Sequence, residues 1–362
     1  MALRPSRREL IAGGAALAAT PAFADQRELS LRAIAARRGL LWGAAIEPQV
    51  VDADPPFAAL LQRQCAVLTA ENALKWNALR PSADAFDFSG ADRVVELAEA
   101  QDAAVHGHCL AWHEAMPDWL LAALNPTTGQ DLLVRHIRTV VARYAGRIRS
   151  WDVVNEGVER NDHRPDGLRV SPWLEALGPG YIDLAFHAAR EADPRARLGF
   201  ADYGLEYDHV PWMVEKRGAM LTVLRGLLAR GAPVHALALQ GHLYAEMPSS
   251  FGPGLGDFLS RVADLGLEIY VTELDVSDQK IPGDAMERDR AVAGVYHAFL
   301  DRVLRQPAVK MVNTWGLSDR HTSKSVFFPR ADGQPVRPLP FDADLKPKPA
   351  AYAIAEALRR SY

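Results

Sequence analysis

Cysteine is scarce: the 362-residue chain holds only Cys65 and Cys109. Two cysteines make no disulfide framework, and no CxxC-type spacing offers a metal a closed sulfur site. Both sit in apolar runs and are expected to act as small buried hydrophobes, with their pairing left open. A basic excess is also missing. Lys and Arg number 41 against 45 Asp and Glu, a formal net charge of −4, which argues against a nucleic acid partner. No uncharged run is long enough to cross a bilayer as a helix. No glycine-rich phosphate loop follows the first strand-like run, which weakens a dinucleotide-binding reading. Internal repeats and low-complexity stretches are absent.

What is present begins with a processing signal. Ser6-Arg7-Arg8-Glu9-Leu10-Ile11 sets twin arginines ahead of an uncharged run from Leu10 to Ala19, and Ala22-Phe23-Ala24 offers small residues for cleavage. Residues 1–24 are therefore expected to be a signal peptide of the twin-arginine type, delivering the protein to the periplasm or beyond the cell. Its removal leaves 338 residues and takes away three arginines and one glutamate, moving the formal charge to −6. An apolar content of 49% suffices for a large core.

Beyond residue 24, short β-rich runs alternate with amphipathic ones. Strands are expected at Leu40–Ile46, Ala66–Ala70, Ala103–His108, Ile148–Asn155, Arg197–Tyr203, Ala236–Leu243, Glu268–Leu274 and Lys310–Trp315. Several are continuously apolar, as parallel strands covered on both faces require. Helical patterns fall at Ala91–Ala100, Leu132–Tyr144, Tyr181–Ala192, Met213–Arg230, Gly254–Ala263, Glu287–Leu304 and Ala350–Arg359. Eight such units predict an α/β fold, the (β/α)8 or TIM barrel, as a single domain over residues 25–362. Alternation alone leaves a doubly wound open sheet as a second arrangement. The turn-rich stretches Pro126–Gly129, Arg160–Pro172 and Ser277–Asp284 read as loops, and Arg330–Pro349 as a surface wrap before the last helix.

Chemically capable residues gather at the carboxyl ends of these runs, which in a barrel face one mouth. An apolar strand has no structural need of Asn155-Glu156 at its exit, nor of Glu273 after Tyr270-Val271-Thr272. A carboxyl at such a rim, near other acids, holds its proton more tightly than in water and is suited to general acid work. Two acids across one mouth form the pair that glycosidic cleavage requires. Either glutamate alone is equally well read as a salt-bridging or capping acid; the pair with its polar surroundings is not. His106-x-His108 also reads as a metal pair, but a catalytic metal needs ligands from further strands, and His106 is expected to be structural. Trp76, Trp119 and Trp151 fit buried packing at least as well as sugar platforms.

These segments together resemble glycoside hydrolase family 10, the endo-β-1,4-xylanase family, from about Gly39 to Tyr352. The resemblance rests on Ala70-Glu71-Asn72-Ala73-Leu74-Lys75-Trp76, on Gly107-His108-Cys109-Leu110-Ala111-Trp112-His113, on Trp151 to Glu156, on Gln240-Gly241-His242-Leu243, on Thr272-Glu273-Leu274-Asp275 and on Trp315-Gly316. Asp319-Arg320 and Phe341-Asp342 with Lys346-Pro347-Lys348-Pro349-Ala350 complete it. It implies a retaining endo-1,4-β-xylanase with Glu156 as acid/base and Glu273 as nucleophile. His242 and Asp275 would orient Glu273, and Asn155 would bind the sugar 2-OH. Glu71, Asn72, Lys75, His108, Trp112 and Gln240 would line the glycone side, with Trp315 as an apolar wall. Retention implies carboxyl groups about 5–5.5 Å apart. No cofactor or metal is implied, and the expected partner is xylan or a xylo-oligosaccharide, bound by a monomer.

Two departures from the family pattern stand out. Ser323 occupies the place where the family usually has a second tryptophan eight residues after Trp315, predicting a smaller, more polar lid and either weaker binding or room for a decorated sugar. Ala201 stands where the family often has Asn, which touches the leaving side. Alternative readings are a β-glucanase or mannanase with the same acid pair, a carbohydrate-binding barrel with lost turnover, and the metal hydrolase.

Overall fold

The computed structural model describes residues 29–247 and 251–360; the signal segment expected at residues 1–24 lies outside them. Among the described residues nine strands form the sheet: β1 (Leu41–Ile46), β2 (Val67–Ala70), β3 (Ala104–Ala111), β4 (Ser150–Asn155), β5 (Arg197–Asp202), β6 (Ala236–Leu239), β7 (His242–Tyr244), β8 (Glu268–Ser277) and β9 (Val309–Thr314). All pairings are parallel. β1 pairs with both β2 and β9, and β6 pairs with β8, so eight strands close into a ring and β7 extends β8 at one end. This is a (β/α)8 barrel, and closure excludes the open-sheet alternative.

The strands bury almost every residue because helices cover their outer faces. Inside, small residues admit large neighbours. A Cβ at Gly107 would fall 2.2 Å from the ring of Trp151, so the β3 backbone lies against that indole. Trp151 is buried, as are Trp76 and half of Trp119; Nε1 of Trp76 donates to the Leu110 carbonyl at 2.7 Å, and its ring stacks on His136 at 3.7 Å. These three tryptophans pack the fold. Cys65 and Cys109 are both free and buried, and burial pushes the Cys65 thiol up.

Several elements differ from the sequence reading, among them β8, which runs three residues past the expected Leu274. The helix Pro55–Gln64 between β1 and β2 was not expected, although Asp54 caps it by accepting from Phe57 N at 3.2 Å. β3 runs three residues past His108, through a cis His108–Cys109 peptide. The expected strand Ala236–Leu243 breaks at Gln240-Gly241, where Gly241 adopts φ +81, a left-handed conformation open to glycine. The wrap Arg330–Pro349 is irregular as expected. Lys348 pins its end through Asp319 at 2.8 Å and Asp289 at 3.2 Å.

Candidate active site

The carboxyl ends of the strands open into a cleft of about 650 Å³ lined by Glu156 and Glu273 together with Lys75, His108, Trp112, Asn155, Gln240, His242 and Trp315. Nine of the twelve residues singled out in the sequence therefore share one wall. Asp275 lies behind it, fully buried, and Glu71 and Asn72 stand outside that lining.

Glu156 leaves β4 in a left-handed conformation, φ 57, which costs a non-glycine residue about 1–3 kcal/mol and turns its side chain off the strand. Its backbone is held on both sides: its N–H donates to the Ala201 carbonyl at 2.8 Å, and its own carbonyl accepts from Arg169 Nε at 2.7 Å. Ala201 thus supplies a main-chain acceptor while its side chain is buried. The Gln240 amide donates to Glu156 Oε1 at 3.0 Å and to Asn155 Oδ1 at 3.2 Å. His113 Nε2 lies 3.9 Å from Glu156 Oε2.

Glu273 sits within β8, nearly buried, with Asp275 two residues on and on the same side of the strand. His242 bridges them, with Nε2 3.3 Å from Glu273 Oε2 and Nδ1 3.0 Å from Asp275 Oδ2. Burial works against a charge on His242, but the Asp275 carboxylate and the hydrogen bonds to both acids outweigh it, raising its pKa to about 9. Burial likewise pushes Asp275 up, and His242 and Lys324 more than offset this, leaving it below the usual carboxylate range. His108 Nδ1 lies 3.0 Å from Asp152 Oδ2 and 3.9 Å from Glu273 Oε1.

His106 is not part of the cleft. Its Nδ1 meets Ser150 Oγ at 2.8 Å and its Nε2 lies 3.0 Å from Asp152 Oδ2, so both ring nitrogens are engaged in the barrel interior. Among the described residues no group of three or more His, Cys, Asp and Glu side chains is arranged to hold a metal ion.

Glu71 stands at the end of β2. Burial and the neighbouring Glu47 carboxylate raise its pKa to about 7, against the opposing pull of Lys75 and a hydrogen bond from Ser323. Asn72 hydrogen-bonds Glu47 and accepts from Lys75 Nζ at 2.8 Å. The Lys75 ammonium in turn lies 5.1 Å from the Trp112 ring and 5.8 Å from Trp315. Ser323, where the family pattern would place an indole, is thus one of the groups acting on Glu71.

Tyr203, at the exit of β5, also lines the cleft, and several lining residues went unnoticed in the sequence: Glu206, Trp212, Tyr244, Lys324 and Phe328. Glu206 is buried and accepts from Leu205 N at 2.8 Å and Gly241 N at 3.1 Å, clamping the turn that carries Gln240 and His242. Its position four residues past Asp202, beyond a strand exit, was a usable signal. Lys324 had none.

The sequence model of Glycosyl hydrolase family 10 matches residues 30–357. Endo-1,4-beta-xylanase C of Paenibacillus barcinonensis is 34% identical over 370 residues, covering 94% of this chain, which spans only 33% of that relative's length. Endo-1,4-beta-xylanase B of Thermotoga neapolitana is 32% identical, with 83% of each chain covered. Xylanase 10B of Thermotoga petrophila, solved in complex with xylobiose, superposes with a TM-score of 0.82 at 32% identity, covering 91% of this chain and 97% of its own.

Proposed function

Since the chain belongs to glycosyl hydrolase family 10, we propose that it is a retaining endo-1,4-β-xylanase acting on internal bonds of xylan and xylo-oligosaccharides. One observation carries this reading: the three-residue turn Gln240-Gly241-His242 contacts both candidate carboxylates, Gln240 at Glu156 and His242 at Glu273. The two acids therefore serve one reacting centre. The names of the similar xylanases support the substrate class.

Glu156 protonates the leaving oxygen while Glu273 attacks the anomeric carbon, forming a glycosyl-enzyme. Glu156, now ionised, takes a proton from water, and that water releases the sugar with net retention. His242 donates to Glu273 and keeps one oxygen oriented and the other facing carbon. Asn155, fixed by the Gln240 amide, binds the 2-OH of the cleaved unit, a contact that strengthens as charge develops. Lys75, Trp112, His108 and Trp315 hold the glycone, with Glu71 and Asn72 behind Lys75.

The test is to incubate the protein with xylan, β-glucan, mannan and xylo-oligosaccharides beside a Glu273→Gln variant and to identify the products. Release of short xylo-oligosaccharides by the wild type alone is expected. Retention of xylan without cleavage, or equal release by the variant, overturns the reading.

Export by the twin-arginine route and action as a monomer complete the proposal. Among the described residues no helix is long and apolar enough to cross a membrane. A mature protein beginning near Asp25 in the cell envelope or medium is expected, and Arg7→Lys with Arg8→Lys should keep it inside the cell. Sedimentation checks the monomer.

A further inference from the structure

Lys324 belongs to the short helix Lys324–Phe327 that follows the exit of β9, next to the position where Ser323 departs from the family pattern. A lysine on a surface helix normally extends into water; this one is 8% exposed. Its Nζ lies 3.2 Å from Asp275 Oδ2, the same oxygen that His242 Nδ1 meets at 3.0 Å. On its other side the ammonium lies 4.6 Å from the centroid of the Phe328 ring, a cation–π distance. Its backbone N–H donates to Thr322 Oγ1 at 3.2 Å, fixing the start of the segment.

Asp275 Oδ1 is buried with no hydrogen-bond partner among the described residues. The orientation of this carboxylate therefore depends on what its Oδ2 accepts, and Oδ2 accepts from two cations. From Lys324 through Asp275 and His242 to Glu273, charges alternate in sign along one connected run. With Lys324 removed, Asp275 is held by the imidazole alone, and the imidazole by Asp275 and Glu273 alone. The neighbouring Ser323, meanwhile, acts on Glu71, opposing the rise of its pKa.

We infer that Lys324 is a positioning residue for Glu273: its ammonium, seated between Asp275 Oδ2 and the Phe328 ring, fixes the Asp275–His242 pair and through it the attacking carboxylate. The inference rests on the reading of Glu273 as nucleophile. Removal of the charge slows attack on carbon and leaves substrate binding nearly intact, because Lys324 reaches Glu273 only through two other side chains.

The experiment follows the covalent step alone. A 2-deoxy-2-fluoro xylobioside with a dinitrophenolate leaving group is attacked by Glu273: the carboxylate–C1 bond forms, the C1–O bond to the phenolate breaks, and the fluorine slows release so that the adduct accumulates. Wild type should be labelled at Glu273, as mapped by peptide mass. Lys324→Met should be labelled about ten- to a hundredfold more slowly at saturating reagent, with half-saturation changed less than about threefold, and Lys324→Arg should recover most of the rate. Lys324→Gln, which keeps a polar contact and drops the charge, replaces Lys324→Met if melting shows the latter unfolded. Labelling of the charge-free variant at the wild-type rate overturns the role of Lys324. A wild type that takes no label overturns the nucleophile assignment on which it rests.

Discussion

His242 stands between two acids of one strand, 3.3 Å from Glu273 through Nε2 and 3.0 Å from Asp275 through Nδ1. Burial opposes its charge, and Asp275 with both hydrogen bonds prevails, so the pKa rises from 6.5 to about 9. The groups facing it are Glu273 and Asp275 from β8, Lys324 from the short helix, and Glu206 beyond β5. Below pH 9 both ring nitrogens carry protons and donate. The kcat/KM on xylotriose should fall as pH rises through about 9, and His242→Asn should remove that limb. The folded pKa is raised, so the stabilisation from this proton is complete below about 6.5 and lost through about 9. Thermal melting at pH 6 and pH 10 checks the sign, with the loss at pH 10 smaller in His242→Asn.

Glu156→Ala should lower kcat on xylan by about 10² to 10⁴-fold, the usual worth of a general acid–base group. Azide should restore turnover of an aryl xylobioside whose leaving group needs no proton, giving a β-glycosyl azide identifiable by NMR. An α-azide would contradict retention.

Glu71, raised to about 7 by burial and by Glu47, is neutral below that pH and anionic above it. The KM for xylotriose should therefore change between pH 6 and pH 8. Glu71→Gln, locked neutral, should flatten the change. A pH dependence identical to wild type would remove Glu71 from the glycone side.

Ser323→Trp should test the lid. Covering roughly 55 Å² of apolar sugar face is worth about 1.4 kcal/mol, or about tenfold in kcat/KM on linear xylo-oligosaccharides. The same change should lower kcat/KM on arabinose-decorated xylan. No gain on the linear substrate would mean that the serine is not what opens this cleft.

Lys216 and Asp202 form a fully buried pair at 2.7 Å beside the segment that follows Glu156. Asp202 also accepts from Val158 N at 3.0 Å, and Lys216 Nζ lies 3.6 Å from the Tyr203 ring. Burial pushes Asp202 up to about 6 against the pull of Lys216. Lys216→Met leaves an uncompensated carboxyl and should cost about 3–5 kcal/mol of stability in urea unfolding at pH 7, less at pH 5 where Asp202 takes a proton.

Much of this arrangement was legible in order along the chain. Continuous apolar runs at Ala236–Leu239 or Val67–Ala70 have few alternatives to parallel strands, and a glutamate at such a strand's exit, as at Glu156, marks the mouth. The helix Pro55–Gln64 lies outside the helical patterns read from the sequence, although proline suits a first helical position. The break at Gly241 was missed because apolar periodicity does not register one left-handed residue. Lys324 was missed because an isolated lysine after Ser323 looks like any exposed cation until Asp275 is brought beside it.

By itself the sequence determined the residue types and their succession: which runs must be covered on both faces, and which acids, amides and indoles follow them. Those properties are local, set by hydrophobic pattern and covalent order. Only the tertiary structure decided which of these groups touch. Pairing of β4 with β5 and of β5 with β6 brings residues more than eighty positions apart, such as Gln240 and Asn155, within hydrogen-bond reach, and ring closure brings His108 of β3 within 3.9 Å of Glu273 of β8. Distances of that kind depend on ring closure, strand register and the single turn at Gly241, none of which any short stretch of chain encodes.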